Sequence, residues 1–298
     1  MSPRATRITV SSNCQTGGLA AGLRDLLPRA EIEPLPVSTI RAYKTPERVL
    51  RDLENADVWV YTSAHEVIDL ETLRRARPGL RIVRIPRIRF YAFHPDVCYA
   101  RHGSTGELTQ PHYNSSIAGW AYNHALSVAD ARRLFAADVY AELGFFDRWR
   151  HDVAALGQEF AESDLDFRPF YLAVKRQGVF MHTPNHPKPG AIVALARLVA
   201  VAVTGDVSLL GRPLSIGDDL LGYAWPVYPE IARSLVLEPG SLDWKMDGRW
   251  LLGLDAFLDA AFERYARQGI RPGDLRFVPG PDEAHYDRVL GPRIGRRP

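Results

Sequence analysis

Cys14 is the residue in this chain best placed to do chemistry. It stands in Ser11-Ser12-Asn13-Cys14-Gln15, after the short strand-like segment Arg7-Ile8-Thr9-Val10-Ser11 and before Leu19, Leu23, Leu26 and Leu27, which recur at helical spacing. A thiol between a strand end and a helix start meets unpaired N–H groups and the positive end of the helix dipole, and both favour the thiolate. The same N–H groups can hold the oxyanion that forms when a thiolate attacks a carbonyl. A structural cysteine usually lies in apolar sequence, as Cys98 does in Val97-Cys98-Tyr99, whereas Cys14 has polar neighbours on both sides. The pattern predicts a nucleophile with a depressed pKa at Cys14 and a structural thiol at Cys98.

A nucleophile needs a base. Among nine histidines, His182 and His186 flank Thr183-Pro184-Asn185, and His186 opens His186-Pro187-Lys188-Pro189-Gly190 ahead of the apolar run from Ala191 to Val203. His94, in Phe93-His94-Pro95-Asp96, follows a strand expected over Leu80 to Ile85. His94 and Asp96 should therefore fall near the C-terminal edge of a sheet, where open α/β folds bind ligands. His94 would orient a substrate or serve as a second base there, or be an ordinary histidine hydrogen-bonded within its loop. Arg84, Arg87 and Arg89, just upstream, would make either a cationic rim suited to phosphates or a plain solvated edge. Metal and nucleotide motifs are missing. Pro184 denies His182 and His186 the shared helix that a His-Glu-x-x-His site needs. Two cysteines are too few for a four-thiolate zinc site. Gly17-Gly18 with Gly22 matches neither a phosphate-binding P-loop nor the dinucleotide fingerprint.

These residues need a scaffold, and the first hundred residues supply a βα rhythm. Strands are expected over 7–11, 58–61 and 80–85, with a weaker one over 32–37 that Pro34 and Pro36 confine to an edge. Helices are expected up to Pro28, from Thr45-Pro46-Glu47 onward and over 70–76. Strands alternating with helices imply an α/β fold, a parallel sheet with flanking helices. After residue 105 the texture becomes mainly helical, over 117–126, 129–143 and 146–160. A further strand over 179–182, a buried helix from 191, an irregular stretch over 205–245 and an amphipathic helix over 250–265 follow. The last strand of the α/β part comes only near residue 180, so the reading is a single α/β domain over 1–298 with a helical insertion at about 106–175. The segment 270–298 is expected to be loosely ordered.

The chain has 298 residues, 46% hydrophobic and 24% charged, the balance of a globular protein, and its net charge of +2 argues against a nucleic-acid-coating role. No apolar signal region follows Arg4 and Arg7, and the run from Ala191 to Val203 falls short of the ~20 residues that span a bilayer. A cytoplasmic location without a membrane span is expected.

The succession of strand, loop, His-Pro-x-x-Gly and apolar helix resembles the end of the SGNH hydrolase fold. The resemblance makes His186 the general base and puts Cys14 where those hydrolases carry the nucleophilic serine. Thr183 stands where their acid would be, three residues before the histidine. A cysteine–histidine pair can form without that acid. On a larger scale, Asn13-Cys14-Gln15 after a strand, Phe93-His94-Pro95-Asp96, Tyr113-Asn114-Ser115-Ser116-Ile117, Asn185-His186-Pro187 and Trp225-Pro226-Val227-Tyr228-Pro229 resemble the WcbI-like polysaccharide biosynthesis proteins. This resemblance implies a coenzyme A-dependent acetyltransferase of capsule assembly, which moves an acetyl group from acetyl-CoA to a sugar hydroxyl without a metal. It implies Cys14, His186 and His94 as catalytic residues. Asn13, Gln15, Arg84, Arg87, Arg89 and Lys188 would contact the coenzyme, and Asp96, Tyr113 and Asn185 the acceptor. Partners would be the sugar or polysaccharide acceptor and other polysaccharide assembly proteins. Two other readings share the same residues. One is an SGNH-like thiol esterase that removes acyl groups. The other is a non-catalytic sugar- or nucleotide-binding protein, with Trp120-Ala121-Tyr122 and Tyr223-Ala224-Trp225 as stacking surfaces.

Overall fold

A computed structural model describes residues 4–43, 45–62, 67–237, 239–278 and 282–294. The chain forms two compact units, one from residues 1–89, 153–181 and 185–221, the other from 90–152, 182–184 and 222–298. The helical stretch at 106–175 is thus divided between them, its first part in the second unit and its last part in the first.

The first unit is the α/β part. Strands β1 (Arg7–Ser11), β2 (Glu31–Pro34), β3 (Val58–Tyr61) and β4 (Arg81–Arg84) form a parallel sheet in the order β2-β1-β3-β4. Val10 lies opposite Pro34 on one side and Val60 on the other. Pro34 sits at the sheet edge, where a missing ladder donor is tolerated. Strand β3 is buried at every position, as a strand covered on both faces must be. Helices α1 (Thr16–Leu26), α2 (Val37–Tyr43), α3 (Pro46–Asp52) and α4 (Leu70–Ala76) connect the strands. Leu35, Ile40, Val49, Leu53, Trp59 and Leu73 make one apolar cluster of this unit. Helices α8 (Arg148–Ala161), α9 (Phe167–Lys175) and α10 (Pro189–Thr204) complete it, with the chain entering from the second unit within α8.

Two glycines of α1 explain how α10 is set. A Cβ on Gly18 would lie 3.1 Å from Ile192, and one on Gly22 would lie 2.9 Å from Ala196. Four residues onward in α1 matches four onward in α10, so the helices run in the same direction at close range. Arg81, the first residue of β4, donates to the carbonyls of Ala202 (2.5 Å) and Val203 (2.7 Å) near the other end of α10. The start of α10 therefore lies at the C-terminal edge of the sheet, beside the start of α1. Gly22→Leu should overpack this contact and cost about 1–3 kcal/mol, read as a lower urea midpoint with an unchanged slope. An unchanged midpoint would contradict the close approach.

The second unit pairs β5 (Val97–His102) with β11 (Leu275–Val278) and β6 (Asn114–Ser115) in an antiparallel sheet. Helices α5 (Ser116–Asn123), α6 (Val128–Arg132), α7 (Ala137–Glu142), α11 (Pro229–Ser234), α12 (Leu254–Arg267) and α13 (Glu283–Ile294) belong to it. The helix expected over 129–143 is two helices, because Ala136 is extended (φ −141°, ψ 153°). The stretch 205–245, expected to be irregular, contains α11 and strand β9 (Asp243–Met246). Strand β10 (Arg249–Leu252) pairs with β9 and takes the residues expected to begin the last helix. The turn between them is Asp247-Gly248, with φ of 49° and 75°. Of the segment 270–298, the described residues include β11 and α13, while 279–281 and 295–298 lie outside them. Two very short strands, β7 (Met181–Thr183) and β8 (His186–Pro187), flank the turn before α10. No helix among the described residues is long and apolar enough to cross a membrane.

Candidate functional site

The turn from β1 into α1 is locked by its own side chains. Thr16 Oγ1 accepts the Ser12 N–H at 3.0 Å and lies 2.6 Å from the Ser12 carbonyl oxygen. Asn13 Oδ1 accepts the Gln15 N–H at 3.2 Å, and the Asn13 carbonyl accepts the Thr16 N–H at 3.1 Å. Cys14 is left exposed at the apex of this turn, at the C-terminal edge of the parallel sheet. Cys98, by contrast, is buried on β5.

The protonation of Cys14 corrects the expectation drawn from the sequence. Desolvation by the surrounding protein pushes the thiol above its ordinary range, and a hydrogen bond from its own backbone only partly opposes this. The helix end thus does not depress this thiol below its ordinary value. Burial pushes Cys98 much further up, reinforced by the nearby Asp96 charge. Alkylation with iodoacetamide should modify Cys14 before Cys98, at a rate that keeps climbing as pH rises through and beyond the usual thiol range. Faster labelling of Cys98 would contradict this assignment.

His186 is buried and lies on the segment just ahead of α10. The parallel packing of α1 and α10 brings Cys14 and His186 to the same edge of the sheet, each just before the helix it leads into. Asn185 and Lys188 lie on the same segment, Lys188 at the N-cap of α10. Partial burial lowers the Lys188 pKa, while the charge of Asp218 raises it. Asp218 did not stand out in the sequence, because it lies in a stretch without periodicity.

The loop after β4 reaches the same place. Gln15 is buried and its Nε2 donates to the Ile88 carbonyl at 3.3 Å, so Arg87 and Arg89 flank a residue held against the Cys14 turn. With its main-chain N–H given to Asn13 and its side chain to Ile88, Gln15 braces the turn. The first-turn N–H groups of Gly17 and Gly18, which have no acceptor within their own helix, are the better donors.

Arg84, Arg87 and Arg89 are each paired with an acidic residue. Arg84 makes two hydrogen bonds to Asp164 Oδ1, at 3.2 and 2.8 Å, while Glu159 pairs with both Arg87 (2.7 Å) and Arg89 (3.2 Å). Burial would raise the Asp164 and Glu159 carboxyls, yet their arginine partners outweigh it and hold both below the usual range. A pocket of about 390 Å³ between Tyr61, Arg84, Arg87 and Glu159 opens beside the ends of β3 and β4. Glu162 lines the same pocket, so its two arginines, Arg84 and Arg87, face two carboxylates, Glu159 and Glu162. Glu159 and Asp164, from α8 and the segment after it, were not singled out in the sequence.

His94, Asp96 and Tyr113 belong to the second unit. His94 is buried in a turn in which its N–H donates to the Tyr91 carbonyl at 2.7 Å, and its ring stands edge-on to Phe93 at 6.1 Å. Asp96 is completely buried. It accepts from Ser116 Oγ (2.7 Å), the Ile117 N–H (2.9 Å) and the Tyr228 hydroxyl (2.7 Å). Burial raises its pKa against the pull of these donors. Asp96 thereby ties the start of α5 to Tyr228. Tyr113 is buried between the rings of Tyr99 and Tyr223. Among the described residues no group of three or more His, Cys, Asp or Glu side chains could hold a metal ion.

A parallel sheet with Cys14 and His186 at its C-terminal edge gives an α/β protein whose thiol and imidazole share the edge where such folds commonly bind ligands. Residues 7–204 match the WcbI family, and the chain belongs to this family of polysaccharide biosynthesis enzymes. A solved structure of WcbI, described as a novel polysaccharide biosynthesis enzyme, shares the fold with a TM-score of 0.70 over 97% of this chain and 96% of that one, at 18% identity. That structure is of the native protein without a disulfide bond between coenzyme A and its Cys14. No curated protein matches the chain.

Proposed function

We propose that the protein transfers an acetyl group from acetyl-CoA to a sugar hydroxyl of a capsular or extracellular polysaccharide, with Cys14 as nucleophile and His186 as base. The observation that carries this reading is the exposed Cys14 thiol at the sheet edge, beside the start of α10 and the His186 that precedes it. Membership of a polysaccharide biosynthesis family supports a sugar acceptor, and the coenzyme A named with Cys14 in the solved relative supports coenzyme A at this thiol.

In the first half-reaction His186 takes the Cys14 proton and the thiolate attacks the acetyl carbonyl. The carbonyl oxygen becomes an oxyanion, received by the N–H groups that open α1. The bond from the carbonyl carbon to the coenzyme sulfur breaks, and coenzyme A leaves with the proton. In the second half-reaction His186 takes the proton of the sugar hydroxyl, whose oxygen attacks the thioester on Cys14. The acetyl ester forms and the Cys14 sulfur is released and reprotonated. His94 assists as an orienting group for the acceptor. Lys188, Asn13 and the arginines of the β4 loop contact the coenzyme, the arginines once its phosphates compete with Glu159 and Asp164. Asn185 and Tyr113 contact the sugar, and the protein works in the cytoplasm, where the donor is made.

Coenzyme A and acetyl-CoA should each raise the melting temperature. At 100 times the dissociation constant the gain is about 2.7 kcal/mol, equivalent to several degrees at ~2–4 °C per kcal/mol for a chain of this size. No shift at millimolar coenzyme would remove the donor and leave the thiol-esterase or sugar-binding readings.

A further inference from the structure

The second unit carries a cluster of aromatic rings unlike its core. Trp225, Trp244 and Phe257 are buried and stack together, with Trp244 and Phe257 centroids 4.1 Å apart, and need no ligand. Tyr99, Tyr113 and Tyr223 instead form a ladder with centroid steps of 5.9 and 5.8 Å, and its two outer rings are half-buried. Each ring is held by a different element. Tyr99 is on β5 and Tyr113 precedes β6. Tyr223 precedes Ala224, which bridges to Lys245 on β9. Its hydroxyl is hydrogen-bonded to the Asp247 carboxylate at the β9–β10 turn. Burial and this carboxylate push the Tyr223 hydroxyl up to about 12, so it remains a neutral donor at every physiological pH.

A cation lies beside the ladder. Arg264 of α12 donates to Asn114 Oδ1 at 3.2 Å, lies 5.1 Å from the Tyr265 ring and acts electrostatically on Tyr223. Its Nε–H is buried without a hydrogen-bond partner, and no carboxylate among the described residues pairs with it. A partly buried guanidinium without an ion-paired carboxylate among the described residues, Asp247 being engaged by Tyr223, can take an incoming anion with two parallel hydrogen bonds. Two partly exposed tyrosines, Tyr99 and Tyr223, on either side of the buried Tyr113 and beside a few polar groups suit a ligand with a flat apolar face and a polar rim.

We propose that Tyr99, Tyr113 and Tyr223, with Arg264 and Asn114 beside them, form a saccharide subsite that stacks a sugar ring and takes an anionic substituent, carboxylate or phosphate, on Arg264. The subsite rests on the acetyl-transfer reading only in making the bound sugar the acceptor. A binding measurement without acetyl-CoA separates the two, because transfer can fail while the sugar still binds.

Saturation-transfer NMR titrations with glucose, glucuronate and glucose 1-phosphate test the assignment. At least one anionic sugar should bind about tenfold or more tightly than glucose, a difference of ~1.4 kcal/mol. A preference for glucuronate assigns an acidic glycan, and a preference for glucose 1-phosphate assigns a sugar phosphate. Arg264→Gln should abolish the preference, and Tyr223→Leu should weaken the favoured ligand about tenfold. If Arg264→Gln fails to fold, Arg264→Lys should keep the preference at reduced affinity, since it retains the charge and loses the planar fork. Absence of binding, equal binding of glucose, or variants that bind as the wild type does would overturn the proposal.

Discussion

Cys14→Ala should lower acetyl transfer by about 10⁴-fold or more, the scale seen when a covalent nucleophile is removed, while coenzyme A still raises the melting temperature. The size of the effect follows from the turn that carries the residue. The hydrogen bonds of Thr16, Asn13 and Gln15 hold the turn without using the Cys14 side chain, so its loss should leave the fold and the coenzyme contacts in place. Cys14→Ser should also be severely impaired, because a hydroxyl is far harder to deprotonate than a thiol and His186 is matched to the easier task. Transfer by Cys14→Ala within tenfold of wild type would mean that the hydroxyl attacks acetyl-CoA directly, without an acyl-enzyme.

His186→Ala should lower turnover by about 10²- to 10⁴-fold at neutral pH, the usual contribution of a general base. The raised Cys14 thiol gives this loss a distinct pH signature. Below the thiol pKa the thiolate fraction rises about tenfold per pH unit, and without the base only that fraction reacts. The first half-reaction of His186→Ala should therefore recover steadily as pH rises into the alkaline range, whereas that of the wild type should change far less there. His94→Ala should cost less and show no alkaline recovery. Near-normal turnover in His186→Ala, or recovery seen in His94→Ala instead, would transfer the role of base to His94.

The parallel sheet was legible because its strands announce themselves. Val58-Trp59-Val60-Tyr61 is an unbroken apolar run, and the helices between strands end at proline or glycine signals such as Pro28 and Pro78-Gly79. The thiol was legible for the same reason, since a polar turn between a clear strand and a clear helix exposes whatever sits at its apex. Strand β5 escaped notice because its partners lie far away in the chain: Tyr99 pairs with Val278 and Cys98 with Asn114. Its burial comes from those long-range neighbours and not from a local pattern. The β9–β10 hairpin did carry a local signal, Asp247-Gly248 between Met246 and Arg249-Trp250, a strong short-range mark of a tight hairpin turn. The aromatic and proline content of the surrounding residues obscured it. Charge was the hardest quantity to read. Arg84, Arg87 and Arg89 look like a cationic rim only until Asp164 and Glu159, 70 to 80 positions onward, fold against them. Cys14 shows the same limit: the helix end was visible in the sequence, but the desolvation that raises its thiol is set by the folded surroundings.

Intact-protein mass spectrometry after brief mixing with acetyl-CoA, in the absence of any acceptor, tests covalent transfer most directly. The wild type should gain the mass of one acetyl group. Peptide mapping should place that group on the Cys14 peptide as a thioester that hydroxylamine removes, and His186→Ala should form it far more slowly at neutral pH. An unmodified Cys14, or acetyl groups found only on Cys98 or on lysines, would contradict the mechanism.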